Sequence, residues 1–214
     1  MYHVLNRGVA RLPLFEKEGD YAAFERVMEE AHGKHPLRLL AYCLMPNHWH
    51  FVCWPQADGD LTAFFRWLTH THTMRWHAHH HTGGTGHLYQ DRFKAFPVQE
   101  DDHFYSLLRY VERNAYRAHL VAKPEDWRWC SLWRRTCGDP LARRLLSGWP
   151  LAMPRNWREI VAAPQNEGEV QAIRRAICRG FPYGSDVWQK NVAVRLGLES
   201  TLRPRGRPKK VENQ

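Results

Sequence analysis

The chain has 214 residues, 43% of them hydrophobic, with ten tryptophans, so it can bury a real core and is not a disordered tail. Thirty-one Lys and Arg against 22 Asp and Glu give a formal net charge of +9, which favours a polyanionic partner through phosphate neutralisation. No run approaches the ~20 apolar residues of a membrane span, and Met1-Tyr2-His3-Val4-Leu5-Asn6-Arg7 lacks an apolar leader, so a cytoplasmic protein without a membrane partner is expected.

Tyr2 to Asn6 reads as an opening strand, and Gly8 begins a basic turn. Asp20 is the expected cap of a helix over 21–32, where Phe24, Val27, Met28 and Ala31 recur at helical spacing. Leu37 to Met45 and His48 to Trp54 are strand-like, and the turn signal Pro46-Asn47 between them predicts an antiparallel hairpin. Leu61 to His80 reads as a long helix that Gly83-Gly84-Thr85-Gly86 ends, and Phe93 to Gln99 as a further strand. Asp101 or Asp102 then caps a helix running to about His119, with Phe104, Leu107, Leu108, Val111 and Ala115 on its buried side.

This order predicts an α+β protein: a ferredoxin-like two-layer sandwich, an antiparallel sheet with helices on one face, over residues 1–135. Residues 136–197 read as a helical extension whose helices 168–179 and 185–197 suit either an ordinary hairpin or a helix-turn-helix, and 198–214 as an extended basic tail. The five cysteines (Cys43, Cys53, Cys130, Cys137, Cys178) are odd in number and lack a Cys-x-x-Cys pair. That argues for reduced core thiols rather than a disulfide framework or zinc ribbon.

Residues two apart in a strand share a face, so His48 and His50 project together, with Trp49 and Phe51 turned the other way. Two adjacent imidazoles can hold one divalent ion, although the same pair also suits a half-buried sheet face. Tyr110 and Asn114 lie one helical turn apart beside the apolar stripe of their helix. A phenol in positive surroundings is a competent nucleophile toward phosphorus, and an amide oxygen one turn away can be a third metal ligand. Phe93 and Phe96 read as core. The histidines from His77 to His81 read as an exposed helix end with no matching ligand set.

Tyr2-His3-Val4, Asn6-Arg7-Gly8 and the run Ala41-Tyr42-Cys43-Leu44-Met45-Pro46-Asn47-His48-Trp49-His50 resemble the single-tyrosine HUH transposases, named for His-hydrophobic-His. Gln90-Asp91-Arg92-Phe93, the stretch Arg109 to Ala118 and the closing segment Trp127-Arg128-Trp129-Cys130-Ser131 match in order. The branch it looks like is the REP-associated tyrosine transposases, bacterial proteins tied to repeated extragenic palindromes, whose longer members have a tail like Leu198 to Pro208. The resemblance implies a DNA endonuclease and strand-transferase acting on single-stranded DNA at hairpins. His48, His50 and Asn114 would hold Mg²⁺ or Mn²⁺, and Tyr110 would form a 5′-phosphotyrosine. The REP-associated branch resembles monomers.

One departure stands out: the usual Asn-Pro is Asn114-Ala115 here, and alanine lets a helix run on where proline would strain it. Arg7, Arg92, Lys94, Arg113 and Arg117 are candidate phosphate contacts. In the tail, Arg203 is a further candidate, and Arg205-Gly206-Arg207-Pro208 has the composition of a minor-groove hook, with Gly206 letting the backbone sit deep, although a disordered solubilising tail has that composition too. The alternative is a domesticated, non-cleaving protein that binds palindromic DNA. Against it stands the joint presence of His48, His50, Tyr110 and Asn114.

Overall fold

The computed structural model describes residues 1–203. Four strands, β1 (Tyr2–Arg7), β2 (Arg38–Met45), β3 (His48–Trp54) and β4 (Lys94–Pro97), form one antiparallel sheet in the order β2-β3-β1-β4. Helices α1 (Glu18–Lys34) and α2 (Asp60–His80) connect them in the βαββαβ order of a ferredoxin-like unit. The expected fold class is therefore the observed one.

Alternation along β3 divides the core. Trp49, Phe51 and Cys53 pack with Val4, Tyr42 and Leu44 against Phe24, Met28, Phe64, Phe65 and Leu68 of α1 and α2. As expected, these two helices share one face. The opposite face is covered as well: Val52, Cys43 and Phe96 meet Phe104, Leu107, Leu108 and Val111 of α3 (Asp102–Glu112). The sheet is thus enclosed on both sides, which explains why β2 reads as a nearly unbroken apolar run.

The sequence after α3 does not stand apart from this core. It continues as α4 (Asn114–Arg117), α5 (Ser131–Thr136), α6 (Pro140–Leu145), α7 (Trp157–Ala162), α8 (Glu167–Arg179), α9 (Asp186–Leu196) and α10 (Glu199–Leu202). The Trp129 carbonyl accepts from Leu44 N–H at 2.9 Å and the Ser131 hydroxyl from Tyr42 N–H at 3.1 Å, which occupies the free edge of β2. Beyond the other edge, Tyr183 bonds to Pro97 and Gln99 at 2.8 and 2.9 Å. Buried Glu112 at the end of α3 accepts from Ser131 Oγ at 2.5 Å and Trp157 Nε1 at 2.7 Å, tying that helix to the extension.

Two local expectations change. Asp20 is not the cap residue of α1: Lys17 is, and Asp20 at the third helical position reaches back to accept from the Glu16 and Lys17 N–H groups. The helix carrying Tyr110 is interrupted at Arg113 and ends at Arg117 rather than near His119, despite Ala115. Of the cysteines, Cys43, Cys53 and Cys130 are buried free thiols, while Cys137 and Cys178 are exposed. No described helix is long and apolar enough to cross a membrane.

Buried His72 on α2 bonds to the Tyr89 hydroxyl at 2.7 Å, and burial lowers its pKa from 6.5 to about 3. Below about pH 6.5 the unfolded chain takes up a proton that the folded chain refuses. The contribution of this group is complete above that pH and is lost as the pH falls toward about 3. In urea melts, His72→Gln is expected to lose less stability between about pH 7 and pH 5 than the parent. Equal losses would show that His72 carries no part of the acid response.

Candidate active site

In β1 and β3, Leu5 stands opposite His50 and Arg7 opposite His48. Paired residues share a face, so His3, Leu5 and Arg7 project with the two histidines toward α3. The Pro46-Asn47 turn sets the entry to β3. Pro46 O accepts from Leu14 and Phe15 N–H at 2.7 and 3.0 Å, and Gly8 N–H donates to Asn47 O at 2.9 Å. A side chain at Gly8 would meet Leu12 O at 2.3 Å, so only glycine permits this close approach.

The rings of His48 and His50 lie 5.0 Å apart, and the Tyr110 ring meets His50 edge-on at 6.1 Å. Asn114, one turn beyond Tyr110, is buried beside it. The structure therefore brings Tyr110 to the two histidines from a helix far along the chain, and joins Asn114 to the Tyr110 ring through the Arg117 guanidinium. Burial first, then Arg117 and Arg7, lowers the His48 pKa to about 4. Burial, followed by His48, His3 and Arg117, lowers that of His50 well below its ordinary value. Both imidazoles are neutral at pH 7, the form in which a ring nitrogen can bind a metal.

The hydrogen bonds suit such a role. His48 Nδ1 lies 2.7 Å from Asn47 Oδ1, which fixes the ring proton on Nδ1 and leaves the Nε2 lone pair free. His50 Nδ1 lies 3.0 Å from His3 Nε2. With His50 as donor, its Nε2 is also free, and the His3 proton sits on Nδ1, a buried atom without a partner. Two ring nitrogens and the Asn114 amide oxygen, which accepts from Arg117 Nη2 at 2.9 Å, would make a mixed N,O donor set for a divalent ion.

His3 joins the candidate site without having been singled out in the sequence. It is fully buried, stacks on His50 at 5.0 Å, and burial lowers its pKa to about 3. Its position two before Leu5 and four before Arg7 gave the period-2 signal, but nothing along the chain named its partner 47 residues away.

The candidate phosphate contacts separate into groups. Arg7, Arg92 and Lys94 are exposed and line a cleft of about 270 Å³, closed on one side by Ile177 and Cys178 of α8. The cleft adjoins the site, because its Leu5 and Arg7 are the register partners of His50 and His48. Arg113 is turned away, donating to the carbonyls of Val161 and Ala162. Arg117 points inward and lies 4.1 Å over the Tyr110 ring. Arg203 is exposed at the end of the described chain, and Arg205 and Arg207 lie outside the described residues.

The histidine-rich end of α2 differs from expectation, since an acidic group does approach it. Asp20, His79 and His80 hold ligand atoms within 4.8 Å of one another. This cluster belongs to the α1/α2 layer, across the sheet from His48 and His50. Lys17 Nζ stands 3.2 Å from His79 Nε2, so one ring nitrogen of His79 is engaged by a cation.

Comparison with known proteins agrees with the fold. The family model described as Transposase IS200 like matches residues 1–114. No curated protein matches the chain. Among solved structures, a REP-associated tyrosine transposase bound to a REP hairpin is similar with a TM-score of 0.52 and 17% identity, covering 77% of this chain and 90% of that one. A candidate transposase from Deinococcus radiodurans R1 gives 0.37 and 19%, covering 52% and 87% respectively. At 17% identity the first likeness is one of fold, and the second is too slight to argue from.

His3→Phe keeps a buried ring but removes the acceptor for His50. It is expected to weaken Mn²⁺ binding by about ten- to a hundredfold, as loss of an outer-shell partner typically does. Titration of the protein with metal alone, read by the free Mn²⁺ signal, measures this. An unchanged affinity would leave His3 a packing residue.

Proposed function

This chain belongs to the IS200-like transposase family, and from that premise we propose that it is a metal-dependent endonuclease and strand-transferase of single-stranded DNA. The observation that supports this best is the meeting of Tyr110, His50 and His48 on one face of the sheet, with the Tyr110 ring 6.1 Å from His50 and Asn114 joined to that ring through Arg117. His48, His50 and Asn114 would hold Mg²⁺ or Mn²⁺. The ion would supply charge neutralisation at the phosphate oxygens.

The chain's own residues would do the rest. Tyr110 Oη attacks the scissile phosphorus, forming an Oη–P bond as the P–O3′ bond breaks. The phenol proton departs, and the released 3′-oxygen takes one up. The products are a 5′-phosphotyrosine and a free 3′-hydroxyl. Because the ester is retained, a 3′-hydroxyl on another strand can reverse the attack and join DNA without ATP.

Arg7, Arg92 and Lys94 would lead the strand along the cleft beside the histidines, with their charges on its backbone. The resemblance of the quoted segments to the REP-associated branch favours a hairpin with a flanking single strand as substrate. On that reading the protein acts as a monomer in the cytoplasm, bound to the nucleoid, and the basic tail with Arg203, Arg205 and Arg207 adds duplex contacts.

A palindromic hairpin oligonucleotide with its flanking strand is expected to become covalently attached in Mn²⁺ or Mg²⁺, seen as a shifted band on a denaturing gel. Tyr110→Phe must abolish the band. A Tyr110→Phe protein that still cuts would remove the tyrosine from the mechanism. A parent that holds the hairpin equally well in EDTA and never forms the band would be a binder alone.

A further inference from the structure

Arg117 leaves α4 and turns back into the site. Its guanidinium lies 4.1 Å over the Tyr110 ring, and Nη2 donates to Asn114 Oδ1 at 2.9 Å. The one acceptor of the Asn114 side chain is therefore already engaged by a cation. Arg117 Nη1 and Asn114 Nδ2 are both buried and have no hydrogen-bond partner. A buried guanidinium nitrogen left without an acceptor is costly to maintain. The arrangement is suited to an acceptor that arrives from outside.

The nature of that acceptor follows from the neighbours. Arg117 is close enough to both His48 and His50 to disfavour their protonation, so it stands among the histidines, the tyrosine and the amide together. Any phosphorus attacked by Tyr110 while its oxygens face His48 and His50 must lie beside this guanidinium. A planar fork of donors matches phosphate oxygens better than any other group at the site. The other two arginines of this region are engaged elsewhere. Arg113 donates to the Val161 and Ala162 carbonyls, and Arg109 to the Ala163 and Pro164 carbonyls.

We infer that Arg117 is a catalytic residue shared between two partners: it rests on Asn114 Oδ1 in the free protein and transfers to a non-bridging oxygen of the scissile phosphate when Asn114 takes the metal. This rests on the reading of the site as a tyrosine nuclease. Metal and guanidinium compete for one oxygen in the free protein. In the complex the phosphate gives Arg117 a second place to go, so each ligand eases the binding of the other. The Tyr110 ring lies under the guanidinium until the phosphate draws Arg117 away.

The test compares Arg117→Met, which keeps the stem without the charge, and Arg117→Lys, which keeps the charge without the fork, with the parent. In the absence of DNA, Arg117→Met is expected to bind Mn²⁺ about fivefold or more tightly than the parent, since the competing cation is gone. Its rate of covalent attachment to the hairpin oligonucleotide at saturating Mn²⁺ should fall by about a hundredfold or more, as when a charge-stabilising donor is removed. Arg117→Lys should recover part of the rate. Unchanged or weaker Mn²⁺ binding by Arg117→Met, or an attachment rate within about threefold of the parent, would overturn the inference. If the parent forms no adduct, the nuclease reading fails by itself, while the Mn²⁺ comparison still decides whether Arg117 competes for Asn114.

Discussion

A central strand enclosed on both faces has no neutral side, and β3 is such a strand. Its odd-numbered residues Trp49, Phe51 and Cys53 fill the core beneath α1 and α2, and its even-numbered residues His48, His50 and Val52 meet the layer of α3. A slip of one residue would drive two imidazoles into the aromatic core and turn Trp49 out toward α3. Fold and candidate chemistry therefore depend on the same register. That register is held at the hairpin by Asn47 and Pro46, and along the strand by six paired positions with β1.

Burial gives the site its electrostatic character. His3, His48 and His50 are all held neutral, chiefly because the protein excludes water from them, with Arg7 and Arg117 adding positive charge around His48. A site kept neutral at its histidines and positive at its rim suits a partner that carries the negative charge. The cleft with Arg7, Arg92 and Lys94 extends the same sign outward, and the net charge of +9 extends it to the whole chain. The segment beyond α3 closes this design. It caps the free edges of β2 and β4 and braces α3 through Glu112, so the helix bearing Tyr110 is anchored to the extension.

Much of this is readable along the chain. Strand alternation pairs His48 with His50, and helical spacing pairs Tyr110 with Asn114. The strand and helix boundaries of the first 112 residues lie within a few residues of those expected. These are near-neighbour properties, set by dihedral geometry and side-chain period alone. The cap of α1 differs because Asp20 satisfies the first N–H groups from the third helical position rather than from the cap itself.

The amino-acid order was enough to pair His48 with His50 on one strand face and Tyr110 with Asn114 on one helix face. It could not say that His3 would bond to His50, that Arg117 would turn inward onto Asn114 while Arg113 turned outward, or that the extension would seal the sheet. Arg113 and Arg117 are alike to any rule of spacing, since they lie four residues apart on one short stretch of chain. Their fates diverge because one faces the carbonyls of α7 and the other faces Tyr110 and Asn114. That difference exists only once the layers are packed, since a side chain's direction is local while its partner is supplied by the rest of the fold.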